Sequence, residues 1–348
     1  MNIFKNTYKI NEWIEEQRKR TLDLFLEHEY GVRPFECDNQ LKYSIIKQKE
    51  TETIKIEKVE MKYNNHSMYF YIYLPKKRNL FLKTFVTIVH PLRDKGEELI
   101  DDYSCIKDFC PIDEIIKRNF AVVLLSAGTI SEDTKNGKHT GIFKEINLTE
   151  NENSWGVLSS WAWGCSKVLD YLSTRKEFNK DKVAVIGHSR GGKTALLAGA
   201  MDERFHLVIS NCSGNSGAAL SRGNTGETIK DIIANFPYWF CNNYRNYVGN
   251  EESLPFDQHQ LLGLIAPRYC YISSASEDDW ADPNGELLSC RLASQYYNLY
   301  DVDGLVLPKK VKEDCSYNKG HIAYHIKTGK HELVLKDWIM YMNYFDKI

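Results

Sequence analysis

The stretch that most constrains this chain is Val183-Ala184-Val185-Ile186-Gly187-His188-Ser189-Arg190-Gly191-Gly192-Lys193. A short apolar run of buried-strand length leads directly into G-x-S-x-G, and a helix-forming segment from Lys193 to Met201 follows. A strand that reverses so abruptly into a helix holds its apex residue in a strained backbone conformation. Gly187 and Gly191 are expected to relieve the crowding, and the Ser189 hydroxyl is lifted above the sheet at a helix N-terminus. A bare G-x-S-x-G arises by chance in roughly one chain in ten of this length, so the flanking strand and helix carry the inference. The spacing is neither a dinucleotide fingerprint nor a Walker loop. The competing reading is a glycine-rich turn that packs or cradles a phosphate.

The rest of the chain repeats the strand-then-helix rhythm. Phe85 to His90, Phe120 to Ala127, Val183 to Gly187, Leu207 to Ser210 and Tyr269 to Ala275 have the length and residue types of buried strands, and Ile322 to Ile326 is the last candidate. Helices are expected over Trp155 to Ser173, from Lys193 to Met201, after the fifth strand through about Tyr300, and from Lys336 to Phe345. Such alternation implies an α/β class: a mostly parallel central sheet covered on both faces, the three-layer sandwich of the α/β-hydrolase fold. Ahead of it, TIKIEKVEMKY and MYFYIYLP flank Asn64–Asn65 and read as a β-hairpin forming an antiparallel edge. The chain reads as one domain, 1–348. Residues 1–50 are expected to be an N-terminal helical extension, with an amphipathic helix from Asn11 to Tyr30. Residues 213–265, rich in Gly, Asn and aromatics, form an insertion after a strand's C-terminal end, where open α/β sheets bind ligands, and are expected to be a substrate wall.

A formal charge of −2 argues against a nucleic-acid partner, and no apolar run is long enough to span a membrane. The polar start MNIFKNTYKINEWIEEQRKR lacks a signal peptide's apolar run, so a cytoplasmic location is expected, or an extracellular one if a leader has been removed. Nine scattered cysteines without a C-x-x-C pair argue against a disulfide framework and against a structural zinc site; buried reduced thiols are expected. No sequence feature chooses between a monomer and a homodimer.

A serine hydroxyl needs a base within hydrogen-bond reach, and the base needs a carboxylate to set its tautomer. In this fold the order along the chain is serine, acid, histidine. His321, His325 and His331 lie near the C-terminus; His325 falls inside the last strand, whereas His331, in T-G-K-H-E, follows it and is the favoured base. The acid is expected after Tyr269 to Ala275, in Ser276-Glu277-Asp278-Asp279-Trp280-Ala281-Asp282-Pro283. Asp278 is chosen and Asp279 comes next; spacing alone leaves the choice open. Lys193 lies one helical turn from Ser189, where a cation opposes the helix dipole, which favours a functional reason for it. Trp280 offers a flat apolar face suited to a sugar ring. Trp239, in FPYWF, reads as packing.

GHSRGGKTAL, SNCSGNSGAALSRGNTGET, FPYWF, LPFDQHQLLGLIAPR, SSASEDDWADP and HIKTGKHELVLKDW, in that order, span roughly Val183 to Trp338 and together resemble the bacterial branch of carbohydrate esterase family 15, the glucuronoyl esterases. The resemblance implies cleavage of esters of glucuronic or 4-O-methyl-glucuronic acid, as in glucuronoxylan-derived material or a smaller carbohydrate ester, with no metal and no organic cofactor. It implies Ser189 as nucleophile, His331 as base, Asp278 as acid and Arg190 as an oxyanion-binding side chain. Lys193 and Glu227 would contact sugar hydroxyls, and Trp280 would flank the uronate. One departure stands out: where many members carry a glutamate, this chain has Cys212. A thiol does not orient an imidazole as a carboxylate does, so the acid is expected from the Asp278 loop. A sugar deacetylase, and a non-catalytic carbohydrate-binding protein on the same fold, are the alternative functions. A second oxyanion donor is expected around Pro91 to Arg93, after the first parallel strand.

Overall fold

The computed structural model describes residues 9–34, 41–77, 81–90, 98–146 and 150–348. Ten strands form one sheet: β1 Lys42–Glu50, β2 Ile54–Tyr63, β3 His66–Pro75, β4 Leu82–Val89, β5 Ala121–Ser126, β6 Phe178–His188, β7 Leu207–Asn211, β8 Tyr269–Ala275, β9 Ser316–Tyr317 and β10 Ile322–Lys327. Their order across the sheet is β1-β2-β3-β5-β4-β6-β7-β8-β10-β9. From β5 to β10 every neighbouring pair is parallel; β1, β2 and β3 at one margin and β9 at the other run antiparallel.

The parallel strands are apolar at consecutive positions because both of their faces are covered. Val183 and Val185 of β6 point into one core with Trp161 and Leu158, whereas Ala184 and Ile186 point into the other with Trp338 and Tyr341. On the first face lie α2 (Val157–Ser173), α3 (Arg190–Met201) and α6 (Pro283–Asn298). On the second lie α1 (Ile112–Lys117) and α7 (Leu335–Lys347). This is the three-layer α/β-hydrolase arrangement that the alternating pattern predicts.

Two strands differ from the expectation. The hairpin β2–β3 turns at Asn64–Asn65 as expected, with Asn64 at φ 50°, but it is not the edge, because β1 pairs outside it. Residues 1–50 are therefore not a wholly helical extension: the helical segment spans 10–30, and a strand begins at Lys42. β1 is exposed along nearly its whole length, so its KYSIIKQKE sequence carries no apolar alternation. β9 is only two residues long.

The insertion 213–265 holds α4 (Ile229–Asn235) and α5 (Gln258–Gly263). The carbonyls of Tyr238 and Trp239 accept from the first N–H groups of α2, Val157 and Leu158, at 3.0 and 3.3 Å. The N-terminal segment is fastened to the insertion as well: Cys241 N–H donates to the Glu29 carbonyl at 2.8 Å, and the Tyr30 hydroxyl donates to the Ser216 carbonyl at 2.6 Å. The eight cysteines among the described residues are all free, and six of them are buried.

The same clamp buries the Glu29 carboxyl completely. Burial pushes it up to about 8 from 4.5, opposed by the Gln258 amide that donates to it at 3.0 Å and by the charge of Lys193. Between those two values the folded chain keeps a proton that the unfolded chain has released, so this group makes stability decline as pH rises through the window. Glu29→Gln should remove this contribution, so that between about pH 5 and about pH 8 the variant's thermal midpoint falls less, or rises more, with pH than that of the unmodified chain. An identical slope in the variant would mean that the carboxyl is charged inside the fold.

Candidate active site

Ser189 sits between β6 and α3 with φ 57° and ψ −124°, outside the regions that L residues favour. Its own backbone closes the bend: its N–H donates to the Asn211 carbonyl at 2.9 Å, and its carbonyl accepts from Gly192 and Lys193 at 2.8 and 3.1 Å. The two motif glycines do different things. A Cβ on Gly187 would lie 1.9 Å from the Gly191 carbonyl oxygen, so no side chain fits there. A Cβ on Gly191 would meet only Ile88 at 3.7 Å, an ordinary contact. The crowding expected at both positions is therefore confined to Gly187.

His331 lies between β10 and α7, and Asp278 in the loop after β8. Because β8 and β10 are parallel neighbours, both loops leave the sheet at the same end. Their backbones are joined there, with Ser276 N–H on the Lys327 carbonyl and Glu277 N–H on the Gly329 carbonyl, both at 2.9 Å. His331 Nδ1 is 2.6 Å from Asp278 Oδ2. A proton held on Nδ1 by that carboxylate leaves Nε2 as the acceptor, the tautomer a general base requires. The carboxylate is buried while the imidazole is 39% exposed, so the ring stays open to the cavity. Ser189 and His331 line one cavity of about 240 Å³. His325 is tied to Asp337 at 2.8 Å inside the core, and His321 Nδ1 contacts the Pro267 carbonyl at 2.5 Å at the start of β10. Asp279 begins the turn Asp279–Ala281.

The remaining residues singled out from the sequence line the same cavity: Arg190, Lys193, Glu227 and Trp280. Arg190 Nη1 donates to Asp133 Oδ2, and its guanidinium lies 4.6 Å from the ring centre of Trp239 and 5.0 Å from that of Phe236. Those two rings stack at 3.8 Å and nearly parallel. Asp133 also accepts from Trp239 Nε1 at 2.8 Å and from the Tyr238 hydroxyl at 3.1 Å. Trp239 thus packs, as its sequence suggests, and also forms part of the cavity wall. Lys193 Nζ pairs with Glu227 Oε2 at 2.7 Å, with both side chains buried, and donates to the Asn215 carbonyl. Glu227 N–H donates to the Trp280 carbonyl at 2.8 Å, which couples that ion pair to the half-exposed indole.

Two residues were invisible to sequence reasoning. Asp133 stands in an ordinary polar stretch, Ser131-Glu132-Asp133-Thr134, far in sequence from every partner. Glu286 is buried on α6, where it accepts from Ser213 N–H at 2.8 Å, Gly214 N–H at 3.1 Å and Ser274 Oγ at 2.6 Å; burial pushes its carboxyl up to about 7. It holds the loop that carries Cys212. Burial, with the negative charges of Glu286 and Asp278, pushes the Cys212 thiol well above its ordinary range. The second oxyanion donor expected around Pro91 to Arg93 lies outside the described residues. A larger groove of about 810 Å³ runs between α1 and Glu332 to Leu335, but neither Ser189 nor His331 lines it.

Comparison with known proteins gives this geometry a family. The family model described as "Glucuronyl esterase, fungi" matches residues 102–301, more than half of the chain. "Carbohydrate esterase MZ0003" from an unknown prokaryotic organism is 42% identical over 238 residues, 68% of this chain and 55% of that protein. A "4-O-methyl-glucuronoyl methylesterase" of Podospora anserina is 36% identical over 154 residues, 41% of this chain and 32% of that protein. The match thus spans about half or less of the length of these curated relatives. Among solved structures, a glucuronoyl esterase from Solibacter usitatus superposes with a TM-score of 0.89 at 26% identity, covering 98% of this chain and 94% of that one. A "promiscuous CE15 esterase from the marine bacterial metagenome" superposes with a TM-score of 0.86 at 32% identity, with the same coverage of both chains. With a strained serine elbow and a histidine–aspartate pair on one cavity, and with these matches in sequence and structure, the chain belongs to the glucuronoyl esterases of carbohydrate esterase family 15.

Proposed function

We propose that this protein is a serine esterase that hydrolyses esters of glucuronic or 4-O-methyl-glucuronic acid through an acyl-enzyme. The observation that carries the reading is the left-handed backbone of Ser189 on the same cavity as an imidazole whose Nδ1 is held by Asp278 at 2.6 Å. Ser189 Oγ attacks the ester carbonyl carbon and its proton passes to His331 Nε2. The carbonyl oxygen becomes an oxyanion, which the Arg190 backbone N–H at the start of α3 and the Arg190 guanidinium stabilise. Collapse of the tetrahedral species expels the alcohol, which takes the proton from His331. Water then attacks the acyl carbon by the same route and releases the uronic acid and the serine hydroxyl.

The uronate end of the substrate explains the second charged pair. Lys193 donates and Glu227 accepts, so the two together match the paired donor and acceptor character of adjacent sugar hydroxyls. The exposed face of Trp280 covers the ring beside them. The Asp133 carboxylate positions Arg190 rather than touching substrate.

Methyl glucuronate should be hydrolysed, Ser189→Ala should abolish turnover, and a fluorophosphonate probe should label Ser189 in the unmodified chain. Strong turnover of p-nitrophenyl acetate without turnover of the uronate would point to a sugar deacetylase, and failure to label would point to a carbohydrate-binding protein.

Asp278→Asn should lower kcat by about 10⁴, the scale on which a misset histidine tautomer costs a serine hydrolase, with folding preserved. Asp279→Asn should leave kcat within a few-fold; the reverse pattern would move the acid to Asp279.

Asp133→Ala should lower kcat by roughly 10- to 100-fold, less than loss of an oxyanion donor outright, with KM little changed. Asp133→Asn, which keeps an acceptor for Trp239, should recover part of the loss. A fall in thermal stability with kcat intact would make Asp133 merely structural.

A further inference from the structure

Cys212, Asp278 and His331 come from three separate loops, after β7, after β8 and after β10, yet a sulfur, a carboxylate oxygen and a ring nitrogen from them all lie within 4.8 Å of one another. We propose that these three side chains form an inhibitory binding site for a thiophilic divalent cation, with zinc as its natural occupant. Thiolate, imidazole and carboxylate are the donor types that zinc takes, and three protein ligands with an open fourth position is a common arrangement for an accessible zinc ion. Cys212 and His331 both line the cavity, so the ion has an entry path and water has a fourth position to fill.

The required movement is small. Zinc bonds of about 2.0–2.3 Å in a tetrahedral array place donors roughly 3.3–3.6 Å apart, so no separation within the 4.8 Å cluster has to close by more than about an ångström and a half, while the 2.6 Å contact of His331 Nδ1 with Asp278 would open by under an ångström if Nδ1 is the ligand. Cys212 and Asp278 are nearly fully buried and fixed, whereas the His331 ring is 39% exposed and supplies the adjustment. On coordination the Cys212 thiol releases its proton to solvent, and no other bond is made or broken. The spacing of cysteines along the chain gives no sign of this site, because one cysteine contributes and the fold brings the other two ligands to it.

The consequence for activity rests on His331 being the base. If the ion takes Nε2, it occupies the lone pair that accepts the serine proton. If it takes Nδ1, it breaks the 2.6 Å contact with Asp278 that sets the tautomer. Either way the esterase stops, and a chelator restarts it. Calcium and magnesium, which prefer oxygen ligands, are not expected to compete.

Zinc chloride, titrated against hydrolysis of methyl glucuronate and reversed with EDTA, tests the proposal in the full chain. The half-inhibiting concentration should rise by at least about tenfold in Cys212→Ser and Cys212→Ala, each read against its own metal-free rate, since loss of even an outer partner of a metal ligand costs that much. Cobalt(II) added to the unmodified chain should give a thiolate-to-cobalt charge-transfer absorption in the near ultraviolet that is missing from the Cys212→Ser difference spectrum. That second reading needs no activity, so it separates failure of the metal site from failure of the esterase assignment. Equal zinc sensitivity in all three proteins, or identical cobalt spectra with and without the thiol, would overturn the proposal.

Discussion

At the end of β6 there is no space for a side chain: a Cβ on Gly187 would fall 1.9 Å from the carbonyl oxygen of Gly191. That close approach is what allows the strand to enter α3 without a connecting loop. It forces the residue two positions on to take the strain, and Ser189 does so at φ 57°. The surrounding layers make the strain tolerable. β4 and β7 flank β6 in parallel register, and the Asn211 carbonyl at the end of β7 accepts the Ser189 N–H at 2.9 Å. The bend is thus held by the sheet itself, and the hydroxyl position depends on the packing of the whole parallel region.

Three hydrogen-bonded side-chain pairs, two of them ion pairs, then brace the cavity, Arg190–Asp133, Lys193–Glu227 and His331–Asp278, and in each one partner comes from a loop remote in sequence from the other. Such pairs are poor evidence for stability, because desolvating two charges offsets most of their attraction. In the mechanism proposed above, their value lies in fixing dipoles before the substrate arrives, so that little reorganisation remains when charge develops on the reacting carbonyl. The stacked Phe236 and Trp239 rings serve the same end for Arg190, since a guanidinium over aromatic faces and hydrogen-bonded to a carboxylate has few alternative rotamers.

What the sequence made legible was whatever is local. The parallel strands announce themselves as apolar runs because both faces are buried, and the elbow, His331 and the Asp278 loop each follow closely on a strand end, although spacing alone does not choose between Asp278 and Asp279. β1 escaped notice because a strand exposed on both faces has no alternation, and β9 because two residues make no pattern. Asp133 escaped because its meaning exists only once Arg190, Tyr238 and Trp239 surround it. The double role of Trp239 escaped for a similar reason: a buried indole reads as packing until its neighbours are known to include the cavity.

Cys212 shows how strongly one position in the site is constrained by the acids around it. Its sulfur stands beside Asp278 and His331, over a loop whose N–H groups are held by Glu286. A carboxylate at 212 would add another acid next to two, and like charges at such range compete for ionisation. The thiol that occupies the position is kept neutral by its burial and by those same acids. One carboxylate is then left facing the imidazole, and it is the one bonded to Nδ1 at 2.6 Å. With Nδ1 committed to that carboxylate, the other ring nitrogen, Nε2, is left as the acceptor.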